Sequence, residues 1–430
     1  MKSVLLEQLK RVKINSDEKR YLLKTAGKII EKIEENLKKR KIDANVFIGG
    51  SLAKDTILKK DIYDVDLFIK FSKNYSEEVI NRHMNKLFFW FKIAGLPLKI
   101  KKMHGSRDYY QIMLKEDKNI IIEVVPSLKI NKPEEARNVT DLSYFHIKYV
   151  KNMMKKNKNL ADEIILAKSF CHAQRVYGAE SYVKGFSGYA LELLICHYGS
   201  FIKFLNEVVN SHDKIIIDPG KNFKNKEEII NYLNESKKLS PIIIIDPTFK
   251  ERNASSSLSE EAFERFKVSA KAFLENPSVE FFEVKKVVVN DLIRKAKIEE
   301  GEFISIELRT NKQEGDIAGT KLLKFSKILT RELSRSVDIL EDHFDYSGGK
   351  KAIVYYVLRN KNELVISGPL LEHKEAVENF KKVHPIWYIE DKRIKCAVDN
   401  KIKGNNLIKE FVRKNKKQLR EMSIKGVRIK

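Results

Sequence analysis

NVFIGGSLAKDTILKKDIYDVDLFIKF, residues 45–71, is the segment around which the chain organises. A β-rich run ends in Gly49-Gly50-Ser51, a polar stretch follows, and a second β-rich run carries Asp64 and Asp66. Residues i and i+2 of a strand point to the same face, so the two aspartates present their carboxylates side by side while Val65 turns into the core. Glycines at 49 and 50 let backbone approach an anion closely. A helix starting at that turn would add its positive end, and Ser51 a hydroxyl and an N–H. A third acid, Glu123, stands in NIIIEVVPSL among Ile120, Ile121, Ile122, Val124 and Val125, where an uncompensated charge is costly.

Each feature alone is commonplace: GGS is a frequent turn and DxD a frequent surface pair. Together, in strand–turn–helix–strand context, they make a site for a phosphate-bearing substrate and a hard cation. An oxygen-only ligand set of Asp64, Asp66 and Glu123 favours Mg²⁺ over Zn²⁺. Two Mg²⁺ ions held by three carboxylates activate a hydroxyl and stabilise a leaving pyrophosphate.

Around this segment the chain reads as multidomain, since 430 residues exceed what a single compact core ordinarily serves. Leu22, Ala26, Ile29, Ile33 and Leu37 recur at helical spacing, with Ser16 as the expected cap. Strand-like runs follow at 44–49, 63–71, 98–103, 109–114 and 119–125, with a helical pattern at 75–94, giving an α/β head with a small mixed sheet. From 141 to 208 the pattern is helical, then the strands KIIIDPG and PIIIIDPTF end in Asp-Pro turns. Ser257 and Glu260 read as a capping box opening a helix that ends near 277. The remainder alternates strand-like runs (303–308, 351–358, 363–367) with a helical pattern at 321–341. The expected fold is thus α+β and multidomain: a head at 1–140, a helical neck at 141–277, and an α+β body and tail at 278–430.

Composition narrows the partners. Lys and Arg number 83 against 59 Asp and Glu, a formal net charge of +24 that exceeds what solubility asks for and points to a polyanion. Lys403, Lys409, Arg413, Lys414, Lys416, Lys417, Arg420, Lys425, Arg428 and Lys430 crowd the last thirty residues, a density suited to a phosphate-contacting arm or a solvated helix. Three cysteines without a CxxC pair fit a reducing cytoplasm. No run approaches the ~20 apolar residues of a membrane span, and the N-terminus lacks a signal-peptide pattern.

The Gly-Ser turn, the DxD strand and the later acid resemble the DNA polymerase β-like nucleotidyltransferase superfamily. YGAESYVKGFSGYALELLICHYGSF (177–201) and IIIIDPTFKERNASSSLS (242–259) are similar to the middle domain of the archaeal-type, class I CCA-adding enzymes, the tRNA nucleotidyltransferases. This resemblance spans nearly the whole chain and is strongest through 44–277. It implies that Gly50, Ser51 and Lys54 touch a triphosphate and that Asp64, Asp66 and Glu123 hold the metals. It further implies that His146, Lys168 and Tyr177 contact the phosphates and sugar of the incoming nucleotide. Arg252, with Asn253 beside it, would read the edge of the base, a task suited to a guanidinium fork. The implied activity is addition of CCA to tRNA from CTP and ATP without a nucleic-acid template, the body and tail gripping the acceptor stem and elbow and the enzyme forming a homodimer. Where Glu123, Lys54 and Asp64 stand, the family usually has aspartate, arginine and glutamate, and the Ser51–Asp64 interval is one residue longer than usual. Two other readings share the head: an RNA nucleotidyltransferase of poly(A) or antibiotic-modifying type, and a tRNA-binding protein with a decayed site.

Overall fold

The strand carrying the aspartates lies inside the first sheet, next to the central strand that carries Glu123. In the computed structural model, which describes residues 1–93, 97–399 and 403–430, β1 (Ala44–Ile48) pairs antiparallel with β2 (Tyr63–Ser72). α1 (Lys2–Val12) and α2 (Ser16–Lys39) precede β1, and the single turn of α3 (Gly50–Ala53) lies between β1 and β2. After α4 (Glu77–Ile93) come β3 (Leu98–Met103), β4 (Tyr109–Leu114) and β5 (Ile120–Lys129), in the sheet order β1-β2-β5-β4-β3. In this sheet, among the described residues, only β2 and β5 run parallel. One face of the sheet alternates into the core: Val65, Leu67, Ile69 and Phe71 of β2 and Ile120, Ile122 and Val124 of β5 are buried against Leu22, Ile29 and Ile33 of α2 and Met84, Leu87 and Phe88 of α4. That alternation leaves Asp64, Asp66 and Glu123 on the opposite face.

A second core forms around 150–282. Helices α5 (Ser143–Lys156), α6 (Leu160–Ala173), α7 (Gly188–Tyr198) and α8 (Phe201–Asn210) are followed by β6 (Ile215–Ile217), α9 (Lys226–Tyr232), α10 (Glu235–Lys238), β7 (Ile242–Asp246), β8 (Phe249–Asn253) and α11 (Glu260–Glu275). Phe170, Phe186, Phe201, Phe204, Phe266 and Phe273 interlock at its centre. α6 and α7 are buried on most faces, as their near-continuous apolar sequences require. The expected helical neck therefore also contains a three-stranded sheet, β6-β7-β8.

By packing, the chain forms two units, 1–285 and 286–430. In the second, α12 (Val289–Ile298), β9 (Glu302–Thr310), α13 (Asp316–Leu333), β10 (Val337–Asp345) and β11 (Lys351–Asn360) build an antiparallel sheet backed by Leu322, Phe325 and Leu329 of α13. β12 (Glu363–Leu370), α14 (Lys374–Val383), β13 (Tyr388–Glu390) and β14 (Arg393–Asp399) form a smaller one. After α15 (Gly404–Lys414) and α16 (Lys416–Glu421), β15 (Ile424–Ile429) pairs with β9 and completes the larger sheet of this unit in the order β10-β11-β9-β15. Among the described residues no helix is long and apolar enough to cross a membrane.

Several local expectations are corrected. The cap of α2 is Asn15, whose side chain accepts from Glu18 N while Glu18 answers to Asn15 N, so the box begins one residue before Ser16. α11 is capped by Ser259, while the Ser257 hydroxyl donates to the Gly185 carbonyl across the loop. The helix expected over 321–341 ends at Leu333, and Val337–Asp345 joins the sheet because alternating apolar residues pair with β11 there. Residue 94, the end of the helix expected over 75–94, lies outside the described residues. The basic C-terminus is no free arm: Lys425, Arg428 and Lys430 belong to or follow β15, and Lys430 pairs with Glu307.

Candidate active site

Strand register brings the acids together. Asp66 lies directly opposite Glu123 in the parallel β2–β5 pair, and Asp64 lies opposite Ile121, one same-face step away. Gln111 of β4 is opposite Glu123 on the other side and donates from Nε2 to Glu123 Oε1 at 2.9 Å. Burial raises the Glu123 carboxyl to about 7, with the neighbouring Asp66 adding to the rise. Burial likewise raises Asp66 to about 6, against the pull of Lys54. Asp64, at the more exposed end of the row, is also raised. None of the three acids makes an ion pair among the described residues.

The turn after β1 explains its glycine. Gly50 has φ +58°, and a Cβ built on it would lie 1.7 Å from Asp66 Oδ2, so any side chain there would displace the carboxylate. Gly49 N donates to the Asp66 carbonyl at 2.8 Å, locking the turn to the acid strand. The helix expected to open there is only the four residues of α3, so the close backbone approach, rather than a long helix dipole, is what this turn offers an anion.

The donor set fits Mg²⁺ in chemistry: carboxylate oxygens only, two of them in register, each held above its ordinary value by burial and by like charge. Among the described residues no three His, Cys, Asp or Glu side chains are already gathered into a ligand set. The acids share a face and a field without forming a closed cage.

Lys54 and Lys168 converge on a residue that sequence reading passed over. Glu192 of α7, 1% exposed, accepts from Lys54 Nζ at 2.5 Å on Oε2 and from Lys168 Nζ at 2.8 Å on Oε1. Thr56 Oγ1 lies 2.9 Å from Lys168 Nζ and donates to Glu192 Oε1 at 3.2 Å. Burial opposes the Glu192 charge, but Lys168 and Lys54 outweigh it and hold the carboxyl down at about 2. Tyr177 closes this corner: a Cβ on Gly188 would meet its hydroxyl at 2.9 Å and Lys168 Cε at 3.8 Å. Its ring stacks on His172 at 3.9 Å.

His146 and Arg252 converge elsewhere, on Asp246 at the end of β7. Asp246 Oδ2 lies 3.0 Å from His146 Nε2 and 2.8 Å from Arg252 Nη1, while Oδ1 accepts from Tyr189 at 3.1 Å and from Thr248 N and Oγ1 at 2.9 and 2.7 Å. Against burial, His146 and Arg252 hold the Asp246 carboxyl well below its ordinary range. Burial in turn lowers His146 despite Asp246. Tyr189 stacks on His146 at 3.9 Å and lies beneath the Arg252 guanidinium at 5.6 Å. Arg252 thus keeps an exposed edge on a fixed base.

Asn253 behaves differently from its neighbour. It is 2% exposed, its Oδ1 accepts from the backbone N–H of Ile244 and Ser255, and its Nδ2 donates to the Lys237 carbonyl. Its amide holds the β7–β8 turn that presents Arg252. The sequence signal for Glu192 was available: an acid inside a helix apolar on most faces needs a partner, the argument already applied to Glu123. Asp246 was hidden by its Asp-Pro turn.

Two family models match: "Nucleotidyltransferase domain" over residues 30–143 and "tRNA nucleotidyltransferase, second domain" over 162–283. The CCA-adding enzyme of Nanoarchaeum equitans is 32% identical over 326 residues, 76% of each chain. That of Methanocaldococcus jannaschii is 28% identical over 91% of this chain and 86% of its own. Among solved structures the RNA terminal uridylyl transferase Cid1 superposes with a TM-score of 0.52 at 13% identity, covering 66% of this chain and 98% of its own, a likeness of fold.

Proposed function

This chain belongs to the family of CCA-adding enzymes, and from that premise we infer that it completes or repairs the 3′-terminal CCA of tRNA by nucleotidyl transfer without a nucleic-acid template. The tRNA 3′-hydroxyl attacks the α-phosphorus of CTP twice and of ATP once, each attack forming one phosphodiester bond and releasing pyrophosphate.

The observation that carries the site is the register of Asp66 against Glu123, with Gly50 in contact range of the Asp66 carboxylate. Asp64, Asp66 and Glu123 are the residues that would hold two Mg²⁺ ions, and Mg²⁺ bound there supplies Lewis-acid stabilisation of the reacting phosphate and acidifies the attacking hydroxyl. Gly50, Ser51 and Lys54 meet the triphosphate. Lys168 and Tyr177 enclose the same corner, and Glu192 keeps its two cations in place. Arg252, held by Asp246 and Tyr189 and flanked by His146, meets the base, and Asn253 holds the turn beneath it. The proposed division is a head at 1–140, a neck at 141–277 and a body and tail at 278–430; two separate cores in the first unit support a head and a neck, while Phe282 still packs in the neck core, α1 packs on that core, and the second unit begins at 286. The body and tail take the acceptor stem and elbow of tRNA, and the active form is a homodimer working in the cytoplasm.

Incubating the protein with tRNA lacking its CCA, labelled CTP and ATP, and Mg²⁺ tests this reading. Ordered addition of C, C and A supports it. A-tails indicate the poly(A)-type reading, and tRNA binding without incorporation indicates the decayed-site reading.

A further inference from the structure

The first sheet bears its acids on one face, and α2 and α4 cover the other. The outer surface of those two helices carries side chains that the core does not use. Residues three and four apart on a helix share a face, so Arg82, Lys86, Phe89 and Trp90 form one exposed stripe along α4. Met84, Leu87, Phe88 and Phe91 turn the other way, into the core. After Glu78, whose carboxylate accepts from the Ser76 hydroxyl at 2.9 Å, α4 contains no acid. Of the 23 phenylalanines Phe89 alone is exposed, at 59%. Trp90 is 45% exposed, and Arg40 Cζ lies 5.1 Å from its ring centroid.

Arg40 ends α2, where its Nε donates to Asn36 Oδ1 at 2.8 Å and Lys41 stands beside it. Among the described residues none of Arg40, Lys41, Arg82 and Lys86 makes an ion pair. Burial lowers His83 from its ordinary value, and Lys86, Arg82 and Arg40 lower it further, so cations of both helices share one positive field. Unpaired cations call for phosphate, and exposed rings call for flat partners. An acidic peptide would satisfy the cations and leave the rings idle, while an RNA duplex keeps its base faces stacked inside. Single-stranded RNA offers both groups, bases to stack on Phe89 and Trp90 and a backbone for the cations around them.

We propose that the outer face of α4, together with the end of α2, is a second RNA-binding surface that takes single-stranded RNA, separate from the acid-bearing face of the head. Its evidence is independent of the nucleotidyl-transfer reading, and so is its test. The chain has two tryptophans, so Trp387→Phe leaves Trp90 as the sole indole reporter. In that protein a uridylate oligomer of about twelve nucleotides should quench Trp90 emission by about half, and an RNA duplex of equal length should leave it unchanged. One bound equivalent of tRNA should not abolish the quench. Phe89→Ala, and Arg82→Ala combined with Lys86→Ala, should each weaken binding of the oligomer about tenfold. Raising salt from about 50 to about 200 mM should weaken it about fiftyfold, the loss expected when Arg40, Lys41, Arg82 and Lys86 each meet a phosphate. These substituted positions are exposed, so the variants should melt with the native protein and keep whatever nucleotide addition it shows. Absence of binding overturns the proposal, as does binding seen by anisotropy of labelled RNA without a change in Trp90 emission. Loss of the quench on adding tRNA would assign this face to the tRNA instead and defeat it. A response of Trp90 to anionic phospholipid vesicles in place of RNA would defeat it as well, and so would a smaller sedimentation coefficient of Phe89→Asp without any quench by RNA, which would mark a second copy on this face.

Discussion

Two kinds of buried carboxylate stand within the first unit, and they differ in who neutralises them. Glu192 and Asp246 are saturated by this chain's own side chains, the Lys54 and Lys168 ammonium groups in one case, the Arg252 guanidinium and the His146 ring in the other, and both are held below their ordinary values. Asp66 and Glu123, half-buried on neighbouring strands, have no ion pair among the described residues, and both are held above theirs. The chain does not lack lysine or arginine, with 83 in all, so the missing partner is a matter of arrangement. The contrast teaches that the paired acids organise side chains, whereas the unpaired ones are suited to a cation brought from outside.

The sharpest break of this contrast is to remove members of each set. Asp64→Ala and Asp66→Ala should each reduce nucleotide incorporation by about a thousandfold or more, the scale of lost metal-assisted stabilisation, while tRNA affinity in a filter-binding assay stays within about twofold. Retained turnover in both would remove the metal assignment.

A smaller and different effect is expected from the paired set. Asp246→Asn keeps the shape of the side chain but weakens its hold on Arg252. Discrimination of CTP and ATP against the wrong nucleotide at each step, measured by product sequencing, should fall roughly tenfold, with incorporation continuing. A uniform loss of rate with unchanged discrimination would separate Asp246 from base recognition.

Acidity gives the mildest test. Glu123 and Asp66 hold protons more tightly in the folded chain than in the unfolded one, so the unfolded state releases them first as pH rises. Their contribution is full below about pH 4 and is lost as pH climbs through about 6 and 7, which lowers the stability of metal-free protein. Glu192 has the opposite sign: its contribution is present above 4.5 and is lost as pH falls toward 2. Calorimetry of metal-free protein should therefore show a component of Tm that declines from pH 5 to 8 and is reduced in Glu123→Gln, where Asp66 alone remains to titrate. Added Mg²⁺ should raise Tm more at pH 8 than at pH 5. An equal response at both values would detach Mg²⁺ from these acids.

Much of this was legible in the residues. The alternation in YDVDLFIKF placed Asp64 and Asp66 on one face, and the apolar run around Glu123 marked it as a charge in need of a partner. Strand pairing was not legible: nothing in the sequence says that Asp66 meets Glu123 in a parallel register or that Gln111 flanks it. The anchor Glu192 escaped because its partners Lys168 and Lys54 lie 24 and 138 residues away along the chain, and Asp246, only six residues from Arg252, escaped because it was read as part of an Asp-Pro turn. Asn253 was singled out for its place beside Arg252 in sequence, and what sequence did not show is that its amide is engaged with backbone. In the second unit, the basic terminus read as a phosphate-contacting arm or a solvated helix; Lys409 to Arg420 lie along α15 and α16, while the strand at its end, β15, is fixed by a ladder to β9 that charge density does not encode.

The most direct test of the central claim is titration calorimetry of Mn²⁺, as a tighter-binding stand-in for Mg²⁺, into the native protein and into Asp66→Asn at pH 6.5 in two buffers of different ionisation enthalpy. The account predicts that the native protein binds the ion with release of protons from Asp66 and Glu123, and that Asp66→Asn loses both the binding and the release. Equal affinity in the two proteins, or binding without proton release, would contradict it.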